Sequence, residues 1–168
     1  MSLQQKPDSI NYEGLIHNIK NGIIQIPKFQ RDFVWNIEKT AELLDSIAKG
    51  YPIGTFILWE TSDRLNGVKK IGNHKLPEIP DGRYIQYVLD GQQRIASLFV
   101  AYKGFKIRKE GEKKETDYKQ IYLNLDTDIE QNDENIISPQ ESDHCISLHK
   151  VLNSNIYFYE IEKKYSKD

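Results

Sequence analysis

Apolar residues recur at the three- and four-residue intervals of a helix in three parts of the chain. Each of these stretches is followed closely by a glycine, the residue that most readily ends a helix. Asn36, directly before the second stretch, can cap that helix through its side-chain oxygen. The pattern therefore predicts helices at Tyr12–Ile19, Ile37–Ala48 and Gln92–Tyr102.

Short apolar runs bounded by glycine, proline or polar residues are typical of strands. The run Thr55–Trp59 is almost wholly apolar, which favours a strand buried on both faces. A short helix at Ile146–Leu152 precedes the last of these runs. The predicted strands are Ile23–Ile26, Thr55–Trp59, Arg83–Leu89, Tyr118–Leu125 and Ile156–Ile161.

Polar segments join these elements. The stretch Thr61–Gly82 predicts a long connection or a weak hairpin. Lys103–Lys119 mixes seven cations with four anions, which predicts a solvated hairpin or loop. Asp126–Asp143 has seven carboxylates and no lysine or arginine, so we expect an exposed, mobile segment there.

Composition and charge narrow the class of protein. The 168 residues contain 23 Lys+Arg and 25 Asp+Glu, a formal net charge of −2, so the chain is not a polycation. No run approaches the ~18 apolar residues of a membrane span. The lone Cys145 cannot form an internal disulfide and residues 1–11 lack the apolar core of a signal peptide, so we expect a cytoplasmic protein. We predict one domain over residues 1–168, and hypothesise that it is the N-terminal part of a longer protein.

The sequence Asp90-Gly91-Gln92-Gln93-Arg94 stands between a predicted strand and a predicted helix. The first N–H groups of a helix lack partners within it and attract anions, as does the helix dipole. Gly91 lets a phosphate approach the backbone, the two glutamines can donate and accept, and Arg94 offers a guanidinium fork. Asp90 can hold Mg²⁺ or orient a water molecule. The structural alternative is that Asp90 only caps the helix while the other polar side chains are solvated.

A second candidate is the segment Ile26–Trp35, where three aromatic residues alternate with charged and amide side chains. Some of these aromatics must be buried to hold a loop without regular structure in place. The loop can then present Gln30 and Arg31 beside a bound anion, or it can be an aromatic plug with surface charges. The aromatic residues are Phe29, Phe33 and Trp35.

Together these segments resemble the N-terminal domain of GmrSD-type restriction proteins, a domain similar to the ParB and sulfiredoxin superfamily. The likeness is strong over residues 9–104 and looser over residues 105–168. The order and spacing of three segments carry it. They are Ile26-Pro27-x-Phe29-Gln30-Arg31-x-Phe33-Val34-Trp35, Tyr51-Pro52-Ile53-Gly54 and Asp90-Gly91-Gln92-Gln93-Arg94.

The resemblance implies an α+β, ParB-like fold that binds and hydrolyses a nucleoside triphosphate, with Mg²⁺ near Asp90. It also implies a partner, a separate HNH-type nuclease domain that the hydrolysis regulates or powers in defence against phage. Sulfiredoxin chemistry is not expected because no cysteine lies near Asp90. Carried over by position, the catalytic residues are Asp90, Gln93 and Arg94, and the nucleotide-binding residues are Gln30, Arg31, Gly91 and Gln92.

Other signals are weaker. The chain has no P-loop motif, so nucleotide binding must rest on a different design. Cys145 with His144 and His149 has metal-ligand chemistry, but one cysteine without a second cluster makes a zinc site a minor expectation. The alternative function is a non-catalytic module that binds DNA or a protein through the same turn. Lys103–Lys119 would then contact DNA, although its acidic neighbours favour a solvated hairpin.

Overall fold

The computed structural model describes residues 9–65, 70–71, 74–78, 82–109, 111–127 and 135–153. Helices and strands are interspersed along these ranges, which confirms the expected α+β class. The described helices are α1 (Tyr12–Lys20), α2 (Ile37–Ala48), α3 (Gln92–Lys103) and α4 (Leu148–Asn153). The described strands are β1 (Ile24–Gln25), β2 (Ile57–Thr61), β3 (Lys70–Ile71), β4 (His74–Lys75), β5 (Ile85–Asp90), β6 (Lys106–Ile107), β7 (Thr116–Asp117), β8 (Tyr122–Asn124), β9 (Ile137–Ser138) and β10 (Cys145–Ser147).

The first three helices lie where the sequence predicts them. Asn36 caps α2, since its side-chain oxygen accepts a hydrogen bond from the Lys39 N–H at 3.0 Å. Beyond the end of each helix the chain turns through a glycine with a positive φ, a conformation that other residues adopt at a cost. These glycines are Gly22, Gly50 and Gly104.

Helix α3 forms the centre of the core. It contacts α1, α2 and α4, and it is buried on most of its surface rather than on the single apolar stripe that the sequence predicts. Its polar residues Gln92, Gln93 and Ser97 are buried with the apolar ones. The polar motif at the start of α3 therefore lies partly in the interior of the domain.

Strand β5 is the middle strand of a mixed three-stranded sheet, parallel to β1 and antiparallel to β2. Because β1 and β5 run in the same direction, their carboxyl ends lie at the same end of the sheet. This topology brings the segment after β1, residues 26–35, beside the motif Asp90–Arg94 that follows β5. The two motifs that the sequence singles out are therefore neighbours in space.

Strand β2 is less buried than its apolar sequence predicts. The expected burial on both faces is wrong, because three of the five residues of β2 are exposed; among the described strands, only β5 pairs with it. Leu58 packs against the core, whereas Trp59 lies on the other face with its ring 6.0 Å from that of Tyr87. Ile57 and Trp59 are exposed.

The rest of the chain forms small antiparallel units. Strands β3 and β4 pair as the expected weak hairpin, and β6 and β7 as the expected solvated one. Strand β8 lies between β9 and β10. The expectation of an exposed, mobile segment from 126 to 143 is wrong for its second half, where β9 packs on α2 and Ile136 and Ile137 are buried. The residues 128–134 lie outside the described residues.

The predicted helix Ile146–Leu152 is divided between two elements. Its first residues extend strand β10 along β8, and helix α4 begins at Leu148. The predicted strand Ile156–Ile161 lies outside the described residues. Within the ranges described, no helix combines the length and apolarity needed to cross a membrane.

Candidate functional site

The turn from β5 into α3 depends on Gly91. This residue has a φ of 87° and occupies the N-cap position of α3 without a side-chain hydrogen bond. A Cβ atom at Gly91 would lie 2.6 Å from Cδ1 of Phe56, so both conformation and space require glycine. The alternative in which Asp90 caps the helix is thus wrong, because the cap position belongs to Gly91.

Gln92 and Gln93 are buried and hold the neighbouring loop. The Gln92 Nε2 donates to the Arg31 carbonyl at 2.8 Å, and the Gln93 Nε2 donates to the Asp32 carbonyl at 2.8 Å. The Gln93 Oε1 accepts from the Val34 N–H at 2.9 Å. These amides replace the backbone pairing that an irregular loop lacks. The alternative in which the glutamines are solvated is therefore also wrong.

Gln30 secures the same loop from the opposite direction. Its Nε2 donates to the carbonyl oxygen of Leu89 at 3.0 Å and, more weakly, to that of Val88 at 3.3 Å. Phe33 is buried beneath the loop, which confirms that at least one aromatic residue holds it in place. Arg31 is exposed. Of the two residues expected to face an anion, the structure presents Arg31 and turns Gln30 towards the sheet.

Tyr118 adds an anchor that the sequence analysis did not identify. Its hydroxyl group donates to the Trp35 carbonyl at 2.8 Å, and its ring lies 5.9 Å from that of Phe33. Burial, followed by the nearby charges of Glu112 and Glu38, raises the pKa of this phenol well above its ordinary value. The strand predicted over residues 118–125 forms only at Tyr122–Asn124, and Tyr118 lies in the turn before it. Nothing local indicated which distant carbonyl its hydroxyl group would meet.

Arg94 is bound to a second loop, residues 51–56. Its guanidinium donates to the carbonyl oxygens of Ile53 and of Thr55, the latter at 2.7 Å, and lies 4.9 Å from the ring centre of Phe56. The side chain is only 18% exposed. Gly54 has a φ of 85° and leaves room for the guanidinium. Four of the side chains expected at the nucleotide site thus donate to backbone carbonyls instead: Gln30, Gln92, Gln93 and Arg94.

Asp90 and Arg31 are the charged side chains that the site leaves open to solvent. The Asp90 carboxylate is 67% exposed, and its Oδ2 lies 3.8 Å from Nη2 of Arg94. Among the residues described, no acceptor is bonded to the backbone N–H groups of Gln92, Gln93 or Arg94 at the start of α3. An exposed carboxylate therefore lies next to unbonded N–H groups at the start of α3, and the Gln92 amide ties the backbone of Arg31 to the same turn.

One buried polar atom at the site is unpaired. Gln92 is 7% exposed, and its Oε1 has no hydrogen-bond donor within the described part of the chain. Gln92 lines a cavity of about 10 Å³, roughly the space of one water molecule, together with Arg31 and Lys70. Lys70 comes from the hairpin β3–β4, and nothing in the sequence associated it with the motif.

The structure does not bring the other candidate ligands together. In the ranges that the structure covers, no group of three or more histidine, cysteine or acidic side chains is arranged to hold a metal ion. Cys145 is buried, and the His149 ring contacts the Tyr102 carbonyl at 2.9 Å. A separate groove of about 600 Å³ between α2 and the β8–β9 pair is rimmed by carboxylates, Glu38, Glu42 and Glu141, and does not include the motif residues.

The fold and the site define an α+β domain in which one polar motif anchors two loops to a buried helix. Residues 12–168 match the family described as the GmrSD restriction endonuclease, N-terminal domain, and the chain belongs to this family. It is also 32% identical over 102 residues to an uncharacterized protein of Methanocaldococcus jannaschii, an alignment that covers 56% of this chain and 17% of that protein. No solved structure matches the chain. The family resemblance predicted from the sequence is confirmed, whereas the ParB-like relationship stays a prediction.

Proposed function

We propose that this domain binds and hydrolyses a nucleoside triphosphate, with Mg²⁺, as the regulatory part of a restriction protein that defends against phage. The cleavage of DNA would belong to a separate nuclease domain of the HNH type. Two findings support the part of the proposal that concerns a multidomain restriction protein. The chain belongs to the N-terminal domain family of GmrSD restriction endonucleases, and it spans only 17% of the relative from Methanocaldococcus jannaschii.

The observation that carries the proposal is the position of Arg31. Its backbone carbonyl accepts from the Gln92 amide at 2.8 Å, so the residue that carries this exposed guanidinium is anchored to the first residue of α3. A helix N-terminus and a fixed arginine together favour a phosphate group.

The contacts support different roles for the motif residues in the proposed site. Arg31 and the N–H groups of α3 would neutralise and orient phosphate oxygens. Asp90, the exposed carboxylate, fits a Mg²⁺ ion held mainly by phosphates and water, or an attacking water molecule. When bound, the ion would supply charge neutralisation on the phosphates. Gln92, Gln93, Arg94 and Gln30 would position the backbone around the site, while their catalytic roles stay predictions.

The test is phosphate release from each of the four ribonucleoside triphosphates with Mg²⁺. We expect turnover by the wild type and a loss of about a hundredfold in Arg31→Ala, the order of effect of removing one charge-stabilising donor. Lys28→Ala is the matched control, because Lys28 is an exposed cation on the same loop. Arg94→Ala should also lose turnover, with looser packing of residues 51–56. Absence of both binding and turnover in the wild type would contradict the proposal.

The alternative in which residues 103–119 contact DNA gains no support from the hairpin β6–β7. Three of its seven cations are paired with carboxylates of the same segment: Lys106 with Asp117 at 3.4 Å, Arg108 with Glu115 at 3.4 Å and Lys109 with Glu112 at 3.9 Å. Such pairing lowers the positive potential that attracts phosphates. The hairpin therefore fits the solvated surface that its composition predicts.

A further inference from the structure

We propose that Phe29 is a platform on which the base of the bound nucleotide stacks, so that the site accepts nucleotides as a class with little preference among bases. This inference rests on the proposed function, since it requires a nucleotide at the start of α3. Phe29 is not needed to hold its own loop in place. It is 71% exposed, whereas Phe33 is buried and Trp35 is half-buried against the core.

The backbone on both sides of Phe29 is fixed. The next residue, Gln30, is bonded to the Leu89 carbonyl at 3.0 Å, and the carbonyl of Arg31 receives the Gln92 amide at 2.8 Å. An aromatic ring on such an anchored segment is presented at a defined place rather than on a flexible loop. Only one residue separates it from Arg31, so an exposed ring and an exposed guanidinium lie on one short segment that Gln92 ties to the start of α3.

This combination matches the two chemical parts of a nucleotide. The phosphates need positive charge and N–H donors, whereas the base needs a flat apolar surface. Stacking on an aromatic side chain tolerates all bases because every base has a π face. Leu89 and Ile57, two further exposed apolar residues, lie at the same end of the sheet, since Ile57 pairs with Asp90. They would extend the apolar surface around Phe29.

The first residue of α3 also carries a buried acceptor without a described donor. The Oε1 of Gln92 has no described donor although the side chain is more than nine-tenths buried, and Gln92 and Arg31 line the same small cavity. Buried acceptors are normally paired. A hydroxyl or amino group of a ligand, or a water molecule held beneath it, would satisfy this oxygen. Inorganic polyphosphate has neither a base nor a sugar. Its binding therefore reports the phosphate contacts alone, without stacking on Phe29.

The experiment measures binding of the 168-residue chain to GTP, ATP, CTP, UTP and inorganic tripolyphosphate by calorimetry. In Phe29→Ala we expect all four nucleotides to bind about tenfold more weakly, the order of effect of losing one base–aromatic stack, and tripolyphosphate to bind as in the wild type. Phe29→Trp should retain nucleotide binding and add a fluorescence signal that nucleotides quench. Val34→Ala is the matched control, because Val34 is 52% exposed on the same loop.

Several outcomes would overturn the stacking role. If Phe29→Ala binds nucleotides like the wild type while tripolyphosphate still binds, the platform is wrong and the proposed function stands. An equal loss for nucleotides and tripolyphosphate would mean that Phe29 only positions the loop. A variant that loses DNA binding but keeps nucleotide binding would assign Phe29 to DNA. If the wild type binds neither nucleotide nor tripolyphosphate, the proposed function fails and the platform with it.

Discussion

The guanidinium of Arg94 occupies the space that a side chain at residue 54 would need. A Cβ atom on Gly54 would lie 2.5 Å from Nη1 of Arg94, and Gly54 itself has a φ of 85°. The guanidinium cannot move aside freely, because it is bonded to the carbonyl oxygens of Ile53 and Thr55. The turn Tyr51-Pro52-Ile53-Gly54 and the motif Asp90–Arg94 are thus two halves of one contact.

Gly54→Ala should lower the free energy of unfolding by about 3 kcal/mol, the sum of a strained φ and of the displaced Arg94 hydrogen bonds. Gly50→Ala is the matched control. Gly50 has a φ of 71°, and a Cβ atom there would have nothing within 4 Å, so only about 1 kcal/mol of backbone strain is expected. Urea unfolding measures both. Equal losses in the two variants would contradict the steric role of Arg94.

Gln93→Met should destabilise the protein by about 2 kcal/mol, because it retains the bulk of the side chain and leaves the Asp32 carbonyl and the Val34 N–H without their partner. The loop from 26 to 35 should also become more sensitive to proteases. Limited proteolysis and urea unfolding are the measurements. Gln120→Met, at an exposed position, should change neither the protease sensitivity nor the free energy of unfolding. A similar loss of stability in this control would contradict the role given to Gln93.

Tyr118→Phe should alter how stability depends on pH. Because the pKa of Tyr118 is raised in the folded state, its contribution is complete below pH ~10, the ordinary value, and is lost as the pH rises further. The wild type should therefore lose more stability than the variant between pH 9 and pH 11, by at most about 1 kcal/mol for each pH unit above 10. Urea unfolding at pH 9 and pH 11 tests this. Parallel losses in both proteins would contradict it.

Asp45→Ala should lower the free energy of unfolding by about 3 kcal/mol. The buried carboxylate accepts a hydrogen bond from the Ile137 N–H at 2.9 Å and forms an ion pair with Lys49 at 2.8 Å. Asp45→Asn retains an acceptor for the Ile137 N–H and should lose less. Thermal or urea unfolding compares the two variants. If asparagine is as harmful as alanine, the hydrogen bond to β9 contributes nothing measurable.

Periodicity and caps determined the local structure of this protein. The helices after Asn11 and Asn36 begin at side chains that accept hydrogen bonds from their own first turns, and the glycines 22, 50 and 104 end them. These signals act over a few residues, so they can be read without knowledge of the fold. The motif Asp90–Arg94 was likewise recognisable as a strand-to-helix turn.

Tertiary structure decided what the motif side chains do. Nothing local indicates that Gln93 meets Asp32 or that Arg94 meets Thr55, because these partners are separated by 61 and 39 positions in the chain. The edge position of β2 and the burial of Ile137 depend in the same way on which elements become neighbours. A donor's chemistry is set by its residue type, whereas its partner is set by the packing of the whole chain. The sequence alone therefore indicated which residues form the candidate site. The fold determined that Arg31 and Asp90 face solvent while the amides of Gln92 and Gln93 hold the loop from 26 to 35.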